Sequence, residues 1–259
     1  VIALEIAGKF MSRIIFLGTA SAVPNINHHN AHFIVEGGQR LVLVDCSGNP
    51  VVRMEEAGID PLQLTDIILT HFHPDHVNGL PLLLMDLWLM GRKTPLTIHG
   101  LAEDMEKAKQ MMDLFDWQKW TSFYPVIFHA LESAEMTTVL EDEDLSILAS
   151  PVCHMITAIG LRMNLPEGIV SYSTDTGPCD PVVDLAQGAN VLIHEAAGAA
   201  QGHSSALEAG EDAAKAEVET LVLIHYPPEV EAEVLAKEAG EAFEGDVLVA
   251  EDLMILELN

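Results

Sequence analysis

Thr70-His71-Phe72-His73-Pro74-Asp75-His76 sets three imidazoles and a carboxylate close together, directly after the apolar run that ends at Leu69. Asp66 to Thr70 reads as a short buried strand, so the loop at its end carries the polar side chains. Imidazole nitrogen suits zinc and similar borderline metals, and a nearby carboxylate is usual where the metal must keep a position open for water. On an extended turn His71 and His73 project to the same side. Asp75 and His76 come round to a neighbouring position, so one loop can found two metal sites.

Working outward, Leu145 to Pro151, Leu161 to Leu165, Ile169 to Ser173, Val191 to His194 and Leu221 to Ile224 also read as strands. His154, Asp175 and His225 fall at or just past strand ends. Together with the loop they give seven candidate ligands, His71, His73, Asp75, His76, His154, Asp175 and His225, which suit a dinuclear centre. Upstream, Arg13 to Leu17 is a strand followed by the small-residue turn Gly18 to Pro24, and His32 to Glu36 pairs with Leu41 to Asp45 across Gly37-Gly38. Asn49 to Ala57 is a helix stopped by Gly58, and Ser205 to Ala216 a helix with a Ser205/Glu208 capping box.

Leu80 to Met90 is apolar nearly all round, so it is deeply buried or sits in a subunit interface, and it is too short to span a bilayer. Ala102 to Leu114 carries a methionine stripe that reads as core. Phe115, Trp117, Trp120, Phe123 and Tyr124 either wall a pocket or cover the core. Strands dominate both halves with helices interspersed, which predicts an α/β sandwich of two sheets face to face with helices outside, in one large domain over residues 11–259. Residues 1–10 read as an N-terminal extension without the pattern of a signal peptide.

The chain carries 12 Lys plus Arg against 40 Asp plus Glu, a formal net charge of -28. Nucleic-acid affinity rests on neutralising phosphates with Lys and Arg, so a long RNA or DNA is expected to be disfavoured and a small substrate favoured. Cys46, Cys153 and Cys179 are odd in number, far apart and in no Cys-x-x-Cys pair, which fits free thiols in the cytoplasm.

The sequence resembles the metallo-β-lactamase superfamily and, within it, the ribonuclease Z branch. The resemblance rests on Leu17-Gly18-Thr19 with Pro24, Leu43-Val44-Asp45-Cys46, the histidine loop with Gly79-Leu80, His154, Asp175-Thr176, His194-Glu195-Ala196, Gly202-His203-Ser204 and His225. It implies an αββα sandwich and a homodimer, with the apolar helix a plausible contact. It also implies two zinc ions, with manganese or iron as substitutes: His71, His73 and His154 on one, Asp75, His76 and His225 on the other, Asp175 bridging. His203 and Glu195 resemble that branch's additional catalytic histidine and its acidic partner.

The chemistry follows from these groups. Two metals acidify a bridging water and stabilise attacking and leaving oxygens, Asp75 orients the hydroxide, and a histidine held by a carboxylate donates a proton to the leaving alkoxide. The branch's tRNA-processing members carry a long basic arm, whereas His154 to Asp175 here is barely a strand, turn and strand. Gly177 stands where many relatives have arginine, and the loop Asn25 to Asn30 offers His28 and His29 as substrate contacts without one. His194 is expected to orient the site, and His32, His99 and His129 to be core or surface residues. The expected activity is therefore a zinc-dependent phosphodiesterase acting on small phosphodiesters. The rivals are a ribonuclease Z-type tRNA 3′-processing endonuclease, a lactone or ester hydrolase, and a non-catalytic metal-binding scaffold subunit.

Overall fold

A computed structural model describes residues 12–258, so the extension expected at residues 1–10 lies outside the described residues. Two seven-stranded mixed sheets face each other. The first contains β1 (Arg13–Gly18), β2 (His32–Gly37), β3 (Arg40–Val44), β4 (Asp66–Ile68), β5 (Leu96–Leu101), β6 (Val126–Leu131) and the last strand of the chain, β14 (Ile255–Glu257). Its order is β14-β1-β2-β3-β4-β5-β6. The second runs β13-β12-β11-β10-β9-β8-β7 from β7 (Thr137–Glu141), β8 (Ser146–Pro151), β9 (Ile159–Leu165), β10 (Gly168–Tyr172), β11 (Val191–Glu195), β12 (Thr220–Ile224) and β13 (Asp246–Val249). Each sheet is antiparallel on one side and parallel on the other, the parallel strands being β3 to β6 and β10 to β13. Parallel neighbours need crossovers, and these supply most of the helices.

Those helices are α1 (Pro50–Glu56), α2 (Pro74–Val77), α3 (Leu80–Leu89), α4 (Ala102–Asp113), α5 (Asp180–Ala186), α6 (Ala206–Lys215) and α7 (Ala232–Ala239). Three apolar layers result. Phe16, Phe33, Val44, Ile147, Leu161 and Tyr172 pack between the sheets. Leu43, Met54, Leu83, Leu84, Leu87 and Met105 join the first sheet to α1, α3 and α4, and Leu192, Ala209, Ala213, Leu223 and Leu235 join the second to α6 and α7. The predicted αββα sandwich is the fold.

Local chemistry sets the element ends. The Asn49 side chain caps α1 at Val52 N–H, and the Ser205/Glu208 capping box opens α6 as the sequence pattern predicts. Helix α3 buries Leu80, Leu83, Leu84 and Leu87 and leaves Leu82 and Leu89 exposed, so its predicted burial is confined to one face. The aromatic run covers the core: Trp117, Trp120 and Phe123 pack on the α-helical layer of the first sheet, and Tyr124 is buried in it with its hydroxyl donating to Leu84 O. Two strands escape the sequence reading. In β6 the apolar run Val126-Ile127-Phe128 went unread, although of that strand only Leu131 is buried, and β7 is five residues long with two buried side chains.

Candidate metal centre

The parallel strands end together on one rim, where backbone gives way to loops and ligand sites in α/β sheets commonly form. β4 delivers His71 and His73, α2 carries Asp75 and His76, the β8–β9 loop carries His154, and β10, β11 and β12 end at Asp175, Glu195 and His225. Three residues at these ends turn the chain through the left-handed region, Asp45 (φ 60°), Thr174 (φ 54°) and His225 (φ 53°). Such conformations cost roughly 1–3 kcal/mol each in residues other than glycine, and here they aim side chains into one space.

That space holds two donor sets. His71 Nε2 lies 3.1 Å from His73 Nδ1, which lies 3.1 Å from His154 Nε2, and Asp175 Oδ2 is 3.8 Å from His71 Nε2. Ring nitrogens on a shared tetrahedral ion sit about 3.4 Å apart, given metal–nitrogen bonds of about 2.1 Å. In the second set, Asp75 Oδ2 is 3.6 Å from both His76 Nε2 and His225 Nε2, and Asp175 Oδ1 is 3.5 Å from each of those nitrogens. Asp175 thus turns one oxygen towards each set, an arrangement that lets one carboxylate serve both.

The donors fit divalent cations on a second count. His76 Nε2, Asp175 Oδ1 and His225 Nε2 are all buried without a hydrogen-bond partner. Leaving such atoms unsatisfied costs about 1–3 kcal/mol each, a cost that coordination removes. The opposite ring nitrogens of two histidines are already committed, His76 Nδ1 to Asp45 Oδ2 at 2.8 Å and His154 Nδ1 to Gly202 O at 2.7 Å. Each donates its N–H, which fixes the tautomer that leaves Nε2 free to ligate. The groups of His, Asp and carboxylate donors that could hold a metal comprise all seven residues expected from sequence, with His203 beside them.

The electrostatics are set by crowding. Burial, reinforced by the nearby His76, holds His71 well below its usual pKa. Burial also opposes charge on His76, but Asp175 and Asp45 outweigh it and hold its pKa well above the usual value. Against its own burial, Asp175 is held well below the usual carboxylate range by His225 and His76. The site is built to carry positive charge beside a buried carboxylate.

His203 stands at the rim, with Nδ1 2.8 Å from Glu195 Oε1 and 4.0 Å from Asp175 Oδ2. Glu195 is fully buried and also accepts from Thr176 N and Ala197 N, so it is fixed in place. Its hydrogen bond raises the His203 pKa. The neighbouring His194 does not reach this space. Its Nε2 is 3.7 Å from Asp212 on α6, because alternate residues of β11 face opposite sides of the sheet. His194 ligates nothing, and its link to the site is the hydrogen bond from Nδ1 to Glu195 O at 2.8 Å, the backbone of the residue that holds His203. His28 hydrogen-bonds Thr19 Oγ1, His29 N donates to Asp252, and His99 joins Asp66 to His129.

Sequence reasoning missed two anchors. Asp45 is buried and accepts from Thr70 N, Thr70 Oγ1 and His76 Nδ1. Its signal was a carboxylate ending the apolar strand parallel to β4. Asp252 accepts from Thr19 Oγ1, His29 N and Arg53 Nη2, which ties the small-residue turn to the C-terminal segment. Nothing local marks it, since its partners are more than 190 residues away in sequence.

The fold and this donor cluster define a metal-dependent hydrolase of the metallo-β-lactamase fold. A family model described as "Anti-Pycsar protein Apyc1" matches residues 12–243. A protein named ribonuclease Z from Methanosarcina mazei is 30% identical, over 96% of this chain and 98% of its own. Among solved structures, the metallo-β-lactamase fold protein YhfI from Bacillus subtilis superposes with a TM-score of 0.81 at 23% identity, covering 95% of this chain and 98% of that one. Human tRNase Z, short form, gives 0.79 at 21% identity over 95% and 99% of the two chains. The chain belongs to the Apyc1 family within the ribonuclease Z-like branch of the metallo-β-lactamase superfamily.

The relatives overturn one expectation. Net charge pointed to a small-molecule substrate and away from long nucleic acid, yet relatives matched almost end to end are named as ribonucleases, and a protein of the same fold is named for tRNA. Net charge sums over the whole surface, whereas phosphate binding answers to the local field, here that of a site built to hold cations. Among the described residues no helix is long and apolar enough to cross a membrane.

Proposed function

We propose that this chain is a zinc-dependent ribonuclease of the ribonuclease Z type, hydrolysing a phosphodiester bond in RNA. The observation that carries the reading is the meeting of two donor sets at Asp175 with the His203–Glu195 pair at the rim. His71, His73 and His154 would hold one ion, Asp75, His76 and His225 the other, and Asp175 both. Bound there, divalent metals supply Lewis-acid stabilisation of charge on phosphoryl oxygens and acidify water towards neutrality.

The chain's own residues do the rest. Asp75 faces both His76 and His225 and is partly exposed, so its carboxylate can orient a water at the open side of the site. Glu195 raises the pKa of His203 and so favours its protonated form, and its Nε2 is left to give a proton to a departing alkoxide. A structural scaffold needs ligands but no proton donor, so this pair favours an enzyme. Three free thiols fit a reducing, cytoplasmic setting.

The test sets metal-quantified protein against a precursor tRNA and against bis(p-nitrophenyl) phosphate, with His203→Ala alongside. Cleavage of the RNA at a defined bond is expected, with kcat falling by roughly 10²–10⁴-fold in the variant while bound metal is unchanged. Turnover of the small diester by metal-loaded protein that leaves RNA whole would refute the RNA substrate.

A further inference from the structure

Cys153 and Cys179, far apart in sequence, meet beside the metal centre. Gly177 N donates to Cys153 O at 2.8 Å, which pairs the β8–β9 loop with the segment that runs from β10 to α5. Thr176 Oγ1 joins the two cysteines: it accepts from Cys153 N at 3.2 Å and lies 3.5 Å from Cys179 Sγ. Its own proton goes to Gly177 O at 2.7 Å, so Cys179 S–H is the donor in that last contact. Burial, and after it the neighbouring Cys179 thiol, raise the Cys153 pKa, which sets the two thiols side by side.

The pair is open to reagents and tied to the ligands. Cys153 is exposed and Cys179 half-buried, whereas Cys46 is fully buried. Cys153 directly precedes His154, and Thr176 directly follows Asp175. Thr176 is itself fixed, its N donating to Glu195 Oε1 at 3.0 Å and its O accepting from Ser204 Oγ at 2.7 Å. His154 and Asp175 face the same donor set, with His71 and His73. A bond from Cys153 to Cys179 would therefore fasten together the two backbone segments that present those ligands. The segments are already hydrogen-bonded, so the bond would hold an arrangement that exists.

We propose that Cys153 and Cys179 form a reversible disulfide that clamps His154 and Asp175 in ligating position, with a small-molecule disulfide such as oxidised glutathione as the oxidant. The proposal rests on the metal reading of the site and adds control by redox state to it. Cys179, as thiolate, attacks one sulfur of the small disulfide, breaking its S–S bond and releasing one thiol. Cys153 then attacks Cys179 Sγ and expels the second. The two protein thiols lose two protons and two electrons, and the small disulfide takes up both as two thiols. In a reducing compartment such a bond is transient, formed when the thiol pool is oxidised.

The test incubates zinc-loaded protein with oxidised glutathione, blocks the remaining thiols and maps the peptides by mass. Loss of two hydrogens and one linked Cys153–Cys179 peptide are expected, with Cys46 unreacted until the chain is unfolded. Zinc transfer to excess EDTA should be about tenfold slower from oxidised than from reduced protein, the low end of what fixing a ligand's surroundings is worth. A phosphine reductant should restore the faster rate, and Cys153→Ser and Cys179→Ser should each abolish the difference. No reaction, or glutathione adducts that persist on wild type without a link, would overturn the disulfide. A link that leaves zinc release unchanged would overturn the clamp. A link formed in protein that takes up no zinc would sink the metal reading and leave the disulfide standing.

Discussion

Asp45→Asn isolates a group that touches neither metal position but holds one ligand in place. Asp45 receives the Nδ1 proton of His76 at 2.8 Å, and Thr70 N and Oγ1 at 2.9 and 3.0 Å. Asparagine tolerates the left-handed backbone that Asp45 adopts at φ 60°, so the substitution leaves the chain path unchanged. It replaces one acceptor oxygen by an NH₂ group, which must then face a donor from either His76 or Thr70. Loss of such a partner to a metal-ligating histidine typically lowers metal affinity 10–100-fold, or about 1.4–2.8 kcal/mol. The larger loss should fall on the set containing Asp75, His76 and His225, because His76 bonds Asp45 directly whereas His71 reaches it only through Thr70 Oγ1, 3.1 Å from His71 Nδ1. Isothermal titration of chelated protein with zinc should therefore show one weakened site and one near wild type. Equal weakening of both sites, or no change in either, would refute the argument that Asp45 acts by orienting His76.

Asp175→Asn should weaken both metal positions together, since each Asp175 oxygen faces one donor set; metal analysis after gel filtration should find well under the wild-type content. Glu195→Gln removes the charge that keeps His203 protonated, so the alkaline limb of the rate profile should move to lower pH and kcat fall by about 10²-fold, checked by pH–rate measurements. Chelation should lower the thermal midpoint as well as abolish activity, because buried unpartnered donors are then left without coordination; scanning calorimetry before and after zinc is restored tests this. His32 gives an acid-stability prediction. Burial, opposed by the Asn30 carbonyl, depresses its pKa from 6.5 to about 4, so the unfolded chain binds the proton more readily. Stability tied to the neutral ring is complete above pH 6.5 and drains away as pH falls towards 4. The loss should reach about 2.5 kcal/mol at pH 4.5, and urea unfolding of His32→Gln beside wild type at pH 7 and 4.5 should show the variant spared that part of the decline.

The histidine loop was legible because its four donors fall within six residues and follow one apolar strand, so no long-range contact was needed to see them. His154, Asp175 and His225 could be collected because polar residues at the ends of buried strands have few structural uses. The capping box of α6 and the hairpin β2–β3 were equally legible, since both are settled by residues within a few positions of each other. Strands β6 and β7 went unread for different reasons: β6 carries the signal in Val126-Ile127-Phe128 but directly follows the aromatic run, whereas β7 offers only the pair Val139-Leu140. The inference from charge failed for a different reason: it treated a sum over the surface as though it were the field at the site.

What the sequence by itself determined is the class of protein, a metal-dependent hydrolase, because donor type and local spacing mark a cation-binding loop without reference to the rest of the chain. The tertiary structure decided the partnerships. Asp175 turns one oxygen to each donor set, Asp45 holds His76, Glu195 holds His203 while His194 turns away to α6, and Asp252 ties the first turn to the last segment. These pairs join residues up to 233 positions apart. Which residues meet at such separations is set by how two sheets pack and where their parallel strands end.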